Sequence, residues 1–377
     1  MRFLQKDKFK KTILVISDLH LGAGAFFDGK RNPLEDFYHD KELVDFLDFY
    51  SDGEYQNREI ELIINGDFLD FLAVPYVRYF DDEYWSEEAS LERLKLIVAG
   101  HPEVFNALTL FLSNKKRKII YIIGNHDAEL ILDRVKENFL GLFAETIRDN
   151  IKIIANDNGD YSPEIGIFVI HGHEYEHAHF FHSKRSIVED ETGRKYFRPS
   201  WGAYYITRVL NKFKEEKGHI NAIKPIGQLF INGLIYEPLF TIRFFFASVW
   251  YFIMVRFIYF YRQHKNVKKI WDHAKRELSL FKDYEQITED FFENKTMIKA
   301  LIVGHTHIPL FRPRPDGSVF VNTGTWTKTF HLDFGTSVGG TKLTYAQIDI
   351  PQNIENYNYQ ISLNNWNGRH HLPYTEY

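Results

Sequence analysis

Residues 12–20 read TILVISDLH, and this stretch decides how the rest of the chain is interpreted. Its first five residues are β-branched or aliphatic, a pattern typical of a strand that is buried on both faces. Polar side chains follow the strand at once, among them Asp18 and His20. Because ligands of α/β proteins bind at the carboxyl ends of strands, the stretch predicts a functional site directly after this strand.

The same arrangement recurs at four further places along the chain. Short apolar runs predict strands at 61–65, 119–123, 167–170 and 301–303. Each run ends in a polar cluster: Asn65-Gly66-Asp67, Gly124-Asn125-His126-Asp127, His171-Gly172-His173 and Gly304-His305-Thr306-His307. Since the carboxyl ends of parallel strands meet at one edge of a sheet, all five clusters are expected to converge.

Helical spacing of apolar residues in 43–50 and 104–112 alternates with these strands. The alternation predicts an α/β layered domain with largely parallel strands. Beyond the last cluster, the pattern changes to strands at 318–322 and 342–350, with a glycine-rich turn at 339–340 between them.

Four segments are predicted along the chain. Residues 1–173 and 300–350 form the two parts of the layered core. Residues 174–299 form an insertion that is dense in aromatic and basic residues and mainly helical in pattern. The C-terminal tail, 351–377, is rich in Asn and Tyr without periodicity, so an ordered segment and a loose end both remain open.

Composition narrows the chemistry that the chain can perform. The 377 residues carry a net charge of −5 and include no cysteine. A negative net charge gives no general reason to bind nucleic acid, which is not expected as a partner. Without cysteine, any metal must be bound by oxygen and imidazole. The N-terminal residues lack the apolar core of a signal peptide, so a cytoplasmic location is expected.

Seven side chains of the polar clusters are candidate metal ligands: Asp18, His20, Asp67, Asn125, His171, His305 and His307. Seven donors exceed what one ion with an open position takes, so two ions fit better. Asp67 is the central carboxylate and the expected bridge between them. Asp18 with His20, and His305 with His307, lie two positions apart, and on extended backbone such pairs point the same way. Imidazole, carboxylate and amide suit Mn, with Fe and Zn as alternatives.

Each motif alone has a simpler explanation, because aspartates cap helices and buried histidines form hydrogen bonds without any metal. Five clusters of metal-binding residue types at five strand ends outweigh that explanation. The later histidines His177, His179 and His182 are instead expected to be solvated or hydrogen-bonded helix residues.

The motifs Asp18-x-His20, Gly66-Asp67-x-x-Asp70, Gly124-Asn125-His126-Asp127, His171-Gly172-His173 and Gly304-His305-Thr306-His307 together resemble the ordered motifs of the calcineurin-like metallophosphoesterases. The resemblance implies a four-layer α/β/β/α sandwich. It implies one metal bound by Asp18, His20, Asp67 and His307 and a second bound by Asp67, Asn125, His171 and His305. It also implies a catalytic role for His126.

In such a centre, a water between the ions attacks phosphorus in line, and His126 donates a hydrogen bond or proton to the developing charge. Asp70, Asp127 and His173 are expected to orient the surrounding side chains. Helix capping is the alternative for Asp70 and Asp127. A protein phosphatase, a general phosphodiesterase and a non-catalytic binding scaffold remain alternative functions.

The insertion contains an uninterrupted apolar run, FFFASVWYFIMV at 244–255, with basic residues before and after it. Twelve residues are too few to span a bilayer. A cap packed on the catalytic domain or against a second copy in a homo-oligomer is the simpler interpretation. Peripheral contact of 243–269 with an anionic membrane surface is the alternative.

The insertion also bears on the substrate. Arg185, Arg194 and Arg198 can contact substrate phosphates if the insertion folds over the site. The sequence GDFLD at 66–70 and the aromatic insertion are similar to enzymes that hydrolyse UDP-2,3-diacylglucosamine, which implies a lipid-linked or nucleotide-linked pyrophosphate substrate. The chain departs from that branch at His126, where its members typically have Arg.

Overall fold

The structure is a computed structural model that describes residues 8–75, 82–155, 157, 160–176, 178–218, 223–224, 233–254, 291–292, 297–328, 330–331, 342–352 and 358–369. Its strands are β1 (Phe9–Ile16), β2 (Phe26–Phe27), β3 (Lys30–Arg31), β4 (Glu59–Asn65), β5 (Arg117–Ile122), β6 (Ile151–Ile154), β7 (Ile167–Val169), β8 (Ile187–Glu189), β9 (Lys195–Phe197), β10 (Ile223–Lys224), β11 (Ala300–Val303), β12 (Leu310–Pro313), β13 (Val319–Asn322), β14 (Phe330–His331), β15 (Thr344–Pro351) and β16 (Gln360–Asn365).

The α-helices are α1 (Asp40–Phe49), α2 (Glu87–Gly100), α3 (Pro102–Leu112), α4 (Asp133–Gly141), α5 (Glu145–Arg148), α6 (Trp201–Tyr205), α7 (Asn211–Glu216) and α8 (Pro238–Ile253). A π-helical turn, Ile206–Leu210, joins α6 to α7. Short 3-10 turns are formed by Gly53–Tyr55, Phe71–Ala73, Asp82–Trp85, Ala128–Ile131 and His173–Tyr175. Among the described helices, none is both long enough and apolar enough to cross a membrane.

Two sheets form the centre of the fold. The larger has the strand order β16-β15-β1-β4-β5-β6, and the smaller has the order β12-β13-β11-β7. Strands β1, β4, β5 and β6 are mutually parallel, whereas β15 and β16 are antiparallel to their neighbours. Strand β11 is parallel to β7 and β13. The predicted strands and their largely parallel arrangement are confirmed.

Strand β1 shows why its last four residues, 13–16, are all apolar. Ile13 and Val15 face the smaller sheet, where they join a buried aliphatic layer with residues such as Ile302 of β11. Leu14 and Ile16 face the opposite way, into a second core that the helices α1 to α4 cover. Burial of each such side chain stabilises the fold by about 1.5–3 kcal/mol, so the strand is held from both sides.

The outer face of the smaller sheet packs against Phe291 and Phe292. The architecture is therefore a mixed α/β sandwich with two central sheets, as the sequence predicts. Within the segment set apart as a tail, 360–365 form the edge strand β16, so this part of the tail is ordered. The glycine-rich turn predicted at 339–340 lies outside the described residues.

A buried ion pair fixes the 3-10 turn Ala128–Ile131, which follows the cluster Gly124-Asn125-His126-Asp127. Arg93 and Glu129 are fully buried and lie 3.2 Å apart. Arg93 also donates hydrogen bonds to Phe71 O at 3.0 Å and to Tyr84 O at 2.9 Å. A charge at this depth is tolerated only when it is paired, so the pair fastens the turn to α2.

The described part of the insertion includes the β8–β9 hairpin, the helical stretch 201–216, strand β10 and α8. The hairpin departs from the mainly helical prediction. Asn211 donates to Leu72 O at 2.7 Å, and Lys214 donates to Leu34 O at the same distance. These contacts attach the helical stretch to the core, and α8 in turn packs on that stretch through Phe244.

Candidate metal centre

The five polar clusters lie on adjoining loops where β1, β4 and β5 of the larger sheet and β7 and β11 of the smaller sheet end. Backbone hydrogen bonds join these loops, from Asp18 N to Gly66 O at 3.1 Å and from His20 N to Asp67 O at 2.9 Å. The His305 N–H donates to the Asp18 carboxylate at 2.9 Å and so connects the two sheets. The predicted convergence of the clusters is what the fold produces.

The backbone at this edge is strained. Five of the seven candidate ligands have left-handed backbone, with φ of 54° at Asp18, 56° at His20, 52° at Asp67, 66° at His305 and 63° at His307. This conformation costs a residue with a side chain about 1–2 kcal/mol and collects at functional sites. The expectation that paired ligands lie on extended backbone is therefore wrong: tight turns, not the alternation of a strand, aim these side chains.

Two glycines leave room for the candidate ligands. A Cβ on Gly124 would lie 2.2 Å from Asp67 Oδ1, and a Cβ on Gly66 would lie 2.3 Å from His171 Nδ1. Gly66 also has a φ of 79°, which other residues rarely adopt. Both positions must be glycine because the side chains of the centre pass directly over them.

Asp18, His20 and His307 form one group whose donor atoms lie within 4.8 Å of one another. His307 Nε2 lies 3.4 Å from Asp18 Oδ1 and 3.1 Å from His20 Nε2. Burial raises the pKa of Asp70, but His126 and His20 outweigh it and hold that pKa well below its usual range. The ionised Asp70 only accepts, so His20 Nδ1, 3.1 Å away, donates to it, and Nε2 is the nitrogen that faces the group.

Asp67, His171 and His305 form a second such group. His171 Nδ1 donates to Asn65 O at 2.6 Å, so Nε2, 3.3 Å from Asp67 Oδ2, is the nitrogen that a metal ion would bind in place of a proton. Asp67 Oδ2 also lies 3.9 Å from His20 Nε2 of the first group. One carboxylate oxygen thus lies between the two groups, where a bridging ligand is required.

The chemistry of this cluster fits a pair of cations. Asn125 Oδ1 and His171 Nε2 are buried and have no hydrogen-bond partner. Leaving such an atom unsatisfied costs about 1–3 kcal/mol, and a metal ion satisfies it. Burial lowers the pKa of His171, yet Asp67 and Asp18 outweigh it and raise that pKa to about 10. The cluster therefore favours positive charge, and its oxygen and imidazole donors suit divalent ions.

His126 lies beside both groups. Its Nδ1 is 2.9 Å from Asp70 Oδ1, its backbone N–H donates to Asp67 Oδ1 at 2.8 Å, and its ring meets that of His20 edge-on with centroids 4.5 Å apart. Burial lowers the pKa of His126, but Asp70 and Asp67 raise it to about 9. The donor atoms of His20, Asp67 and His126 also lie within 4.8 Å of one another.

The two other candidate aspartates behave differently from each other. Asp70 accepts from Leu72 N and Ala73 N, so it caps the 3-10 turn while it also contacts His20 and His126. Asp127 makes no cap hydrogen bond.

Asp127 accepts instead from Gly124 N at 2.6 Å, Phe68 N at 3.0 Å and the Tyr121 hydroxyl at 2.7 Å. Asp127 thus fastens two of the polar clusters together. His173 is buried beside the centre, 5.4 Å from the His171 ring, and stacks on Phe181 with centroids 5.0 Å apart.

The three candidate substrate arginines are exposed on or beside the β8–β9 hairpin. Arg194 pairs with Asp190 at 3.3 Å and with Glu83 at 3.8 Å. Arg198 donates to Arg185 O at 2.7 Å. These contacts lie within the hairpin and with the turn before α2. Contact of the arginines with substrate phosphates therefore stays a prediction.

Two residues at the start of the insertion reach the centre although the sequence did not single them out for it. Glu176 Oε2 lies 3.0 Å from His305 Nε2, and His179 Nδ1 lies 3.4 Å from Asn125 Nδ2. Donor atoms of Glu176, His179 and His305 form a further group within 4.8 Å. His179 is not in a helix, contrary to expectation, and the density of His and Glu in 171–179 was the only sequence signal.

The remaining histidines of this stretch are accounted for separately. His182 Nδ1 lies 3.4 Å from Asp157 Oδ2, away from the clustered donors. His177 lies outside the described residues.

The sandwich fold and the clustered His and Asp side chains define a metal-dependent phosphoesterase. The family model for calcineurin-like phosphoesterases matches residues 11–309, which is most of the chain. The chain belongs to the calcineurin-like phosphoesterase family. Comparison with curated protein sequences gives no match.

Several solved structures are similar to this chain. A dimetal phosphatase from Danio rerio is 11% identical, with 95% of this chain and 96% of that chain covered and a TM-score of 0.38. A phosphopantetheinyl hydrolase from Mycobacterium tuberculosis is 14% identical, with 84% and 91% covered and a TM-score of 0.28. A predicted phosphoesterase from Streptococcus pneumoniae is 11% identical, with 95% and 90% covered and a TM-score of 0.27. Such low TM-scores add nothing to the family match.

Proposed function

We propose that the chain hydrolyses a phosphate ester or pyrophosphate bond with two divalent ions. Asp18, His20, Asp67 and His307 would hold one ion, and Asp67, Asn125, His171 and His305 would hold the other. The observation that carries the proposal is the position of Asp67 Oδ2, 3.9 Å from His20 Nε2 and 3.3 Å from His171 Nε2. Such ions supply a nucleophilic water at neutral pH and neutralise charge on the phosphoryl oxygens.

The protein contributes orientation. Asp70 accepts from His20 Nδ1 and His126 Nδ1, and Asn65 O accepts from His171 Nδ1, so the rotation of each ring is fixed. His126 then has Nε2 left to exchange a hydrogen bond or proton with an oxygen of the substrate or leaving group. Because these partners are in place before substrate arrives, little reorganisation is required during the reaction.

For the substrate, we propose a pyrophosphate linked to a lipid or a nucleotide. The GDFLD sequence at 66–70 and the aromatic insertion support a substrate of this class. An apolar groove of about 670 Å³ between α8 and the helical stretch 201–216, with Arg208, Lys212 and Arg243 along it, has the size of a ligand site. Arg185, Arg194 and Arg198 are proposed to meet the phosphates. Mn²⁺ is the proposed ion.

Turnover of a substrate panel tests this function. Phosphomonoesters, phosphodiesters and acylated pyrophosphates should be offered with Mn²⁺, Fe²⁺ or Zn²⁺, and we expect the acylated pyrophosphates to be preferred. Preference for simple phosphodiesters or phosphoproteins would instead support a general phosphodiesterase or a protein phosphatase. Absence of bound metal and of turnover would support a binding scaffold.

Asp67→Asn tests the shared ligand directly. Loss of the bridging charge should lower turnover by about 1,000-fold or more and reduce the bound metal, measured by elemental analysis. Asp149→Asn changes the same functional group at an exposed site and should leave both quantities unchanged. Full activity of Asp67→Asn would contradict the two-metal proposal.

A further inference from the structure

Helix α8 has an unusual surface. Large apolar side chains that are normally buried are exposed along it, with 79% of Leu239, 64% of Phe246 and 62% of Trp250 accessible. Other exposed members of the same helix are Ile242, Phe245, Val249 and Ile253. The helical turn just before it adds Leu234, Ile235 and Tyr236. A contiguous patch of this kind marks an interaction surface.

The exposed side chains share one side of the helix. Positions 239, 242, 246, 249, 250 and 253 follow each other at helical spacing. The opposite side is buried through Thr241, Phe244 and Tyr251, with Phe244 packed on Phe213 and centroids 5.1 Å apart. The buried side therefore packs the helix on 201–216, and the apolar stripe lies on the side that this packing leaves exposed.

The orientation of α8 is fixed relative to the core. The Tyr205 and Ser248 hydroxyls lie 2.9 Å apart and join α8 to α6. Asn211 of the same helical stretch donates to Leu72 O, in the turn that Asp70 caps. These hydrogen bonds hold the stripe in one orientation and connect it, through Asn211, to the turn beside the metal centre.

Charge identifies what the stripe binds. Between Glu237 and Asp272 the sequence contains six Lys or Arg and no Asp or Glu, although the whole chain has a net charge of −5. Of these residues, those from 255 onward lie outside the described part of the chain. In the groove that the stripe helps to line, Lys212 is exposed and Arg208 stacks on Tyr204, while Arg243 of α8 pairs with Glu216 at 2.9 Å. Aromatic side chains next to cations are the composition that binds the surface of an anionic membrane.

The helix is 16 residues long, so it extends about 24 Å, and no described helix is able to span a bilayer. A helix held along one side by protein and apolar along the other suits insertion parallel to the surface. We propose that α8 is a membrane-docking helix that inserts Leu239, Phe246 and Trp250 among the headgroups of an anionic lipid surface. The inference stands on the surface of α8 and does not require the proposed substrate.

Sedimentation of the full chain with vesicles tests the docking. Vesicles of phosphatidylcholine alone are compared with vesicles that also contain phosphatidylglycerol, and we expect at least about 10-fold more protein on the anionic ones. Raising the salt from about 0.1 M to about 0.5 M should weaken this binding, because the charges are screened. Quenching of Trp250 by brominated acyl chains, assessed against Trp250→Phe, reports insertion in the otherwise unaltered protein.

Matched variants test whether vesicle binding depends on the stripe or on any exposed apolar side chain. The double variant Phe246→Glu, Trp250→Glu should lose at least about 10-fold of the vesicle binding, since two charges would enter the headgroup region. Leu110→Glu changes a side chain of α3 that is 67% exposed and should bind as the parent does. Circular dichroism and metal content should be unchanged in both, and turnover of a soluble phosphodiester monitors the catalytic centre separately.

Two results would overturn the docking. In one, the parent chain fails to sediment with anionic vesicles at low salt. In the other, light scattering shows a dimer that Phe246→Glu, Trp250→Glu converts to monomers, with no vesicle binding by the parent. The second result would assign the stripe to a second copy of the chain. Neither result bears on turnover of the soluble phosphodiester, so the proposed function is tested independently.

Discussion

The metal centre at the strand ends and helix α8 show opposite patterns of burial. At the strand ends, charged residues such as Asp18 and Asp67 are buried, with 0% and 1% exposed. On α8, the aromatic side chains of Phe246 and Trp250 face outward. Both arrangements cost free energy in the isolated chain, because buried charge and exposed apolar surface are each unfavourable in water. The comparison teaches that each region is shaped for something that it binds: cations in the first and, as we propose, lipid in the second.

After loss of the shared carboxylate itself, the largest expected effect comes from crowding the buried region. Gly124→Ala would place a methyl group 2.2 Å from Asp67 Oδ1 and 2.5 Å from Asp67 N, and the backbone atom cannot move aside. We expect turnover to fall by about 100-fold or more, because displacement of a ligand by 1 Å is enough to do so.

Gly141→Ala is the matched control for this change. Gly141 ends α4 and has no atom within 4 Å of the added methyl group. It should retain full activity and gain up to about 1 kcal/mol of stability. Equal activity of the two variants would show that Gly124 does not constrain the centre. Steady-state kinetics and thermal unfolding measure both outcomes.

The next largest effect is the difference in stability between variants on the two sides of α8. Phe244→Ala removes a ring that is 2% exposed and should lower the free energy of unfolding by about 3–4 kcal/mol. Phe246→Ala removes the same ring from an exposed position and should change it by less than about 0.5 kcal/mol. Similar losses in the two variants, measured by chemical denaturation, would mean that the stripe is a packed surface of the folded chain.

Changing the pH tests a buried ionisable group elsewhere in the core, His101 at the start of α3. His101 Nδ1 lies 2.7 Å from Asp40 Oδ1, and its Nε2 lies 3.5 Å from Glu35 Oε2. Burial lowers the pKa of His101, but these carboxylates raise it from 6.5 to about 9. A raised pKa stabilises the fold fully below the unfolded value, so stability should fall by about 2–3 kcal/mol as the pH rises from about 6.5 to 9.

The variant His101→Gln identifies the group responsible for this fall. It should be less stable than the parent at pH 6 and should show a flatter stability profile up to pH 9. His39→Gln, at a more exposed histidine of the same region, should keep the slope of the parent. Denaturant titrations across this range measure the profiles. An unchanged slope in His101→Gln would assign the pH dependence to another group.

The smallest effect is expected at Glu176, where the insertion meets the metal centre. Its carboxylate lies 3.0 Å from His305 Nε2 and so holds that ring in its orientation. Glu176→Ala should weaken binding of one ion by about 10- to 100-fold, while Glu176→Gln, which keeps an acceptor, should recover part of the loss. Metal titration by calorimetry measures the affinity for each ion directly. Identical affinities in all three proteins would show that Glu176 does not position His305.

Much of the catalytic region is readable from sequence because its signal is local. The run ILVI at 13–16 is apolar at every position because β1 has a sheet on one face and helices on the other, and Asp18 and His20 follow shortly after it. The same local rule predicted the other four clusters. The conformation of these residues was not readable, because left-handed backbone at Asp18 and His20 results from bonds to Gly66 and Asp67, some fifty positions away.

The sequence by itself determined the fold class, the strand ends and the side chains that can bind metal. Only the tertiary structure decided which nitrogen of each imidazole is held, that Asp67 lies between two groups, and that Glu176 and His179 reach the centre from the insertion. Only the structure, too, showed which side of α8 is outward. The reason is physical: alternation and composition are properties of neighbouring residues, whereas tautomers, shared ligands and exposure depend on contacts between residues far apart in the chain.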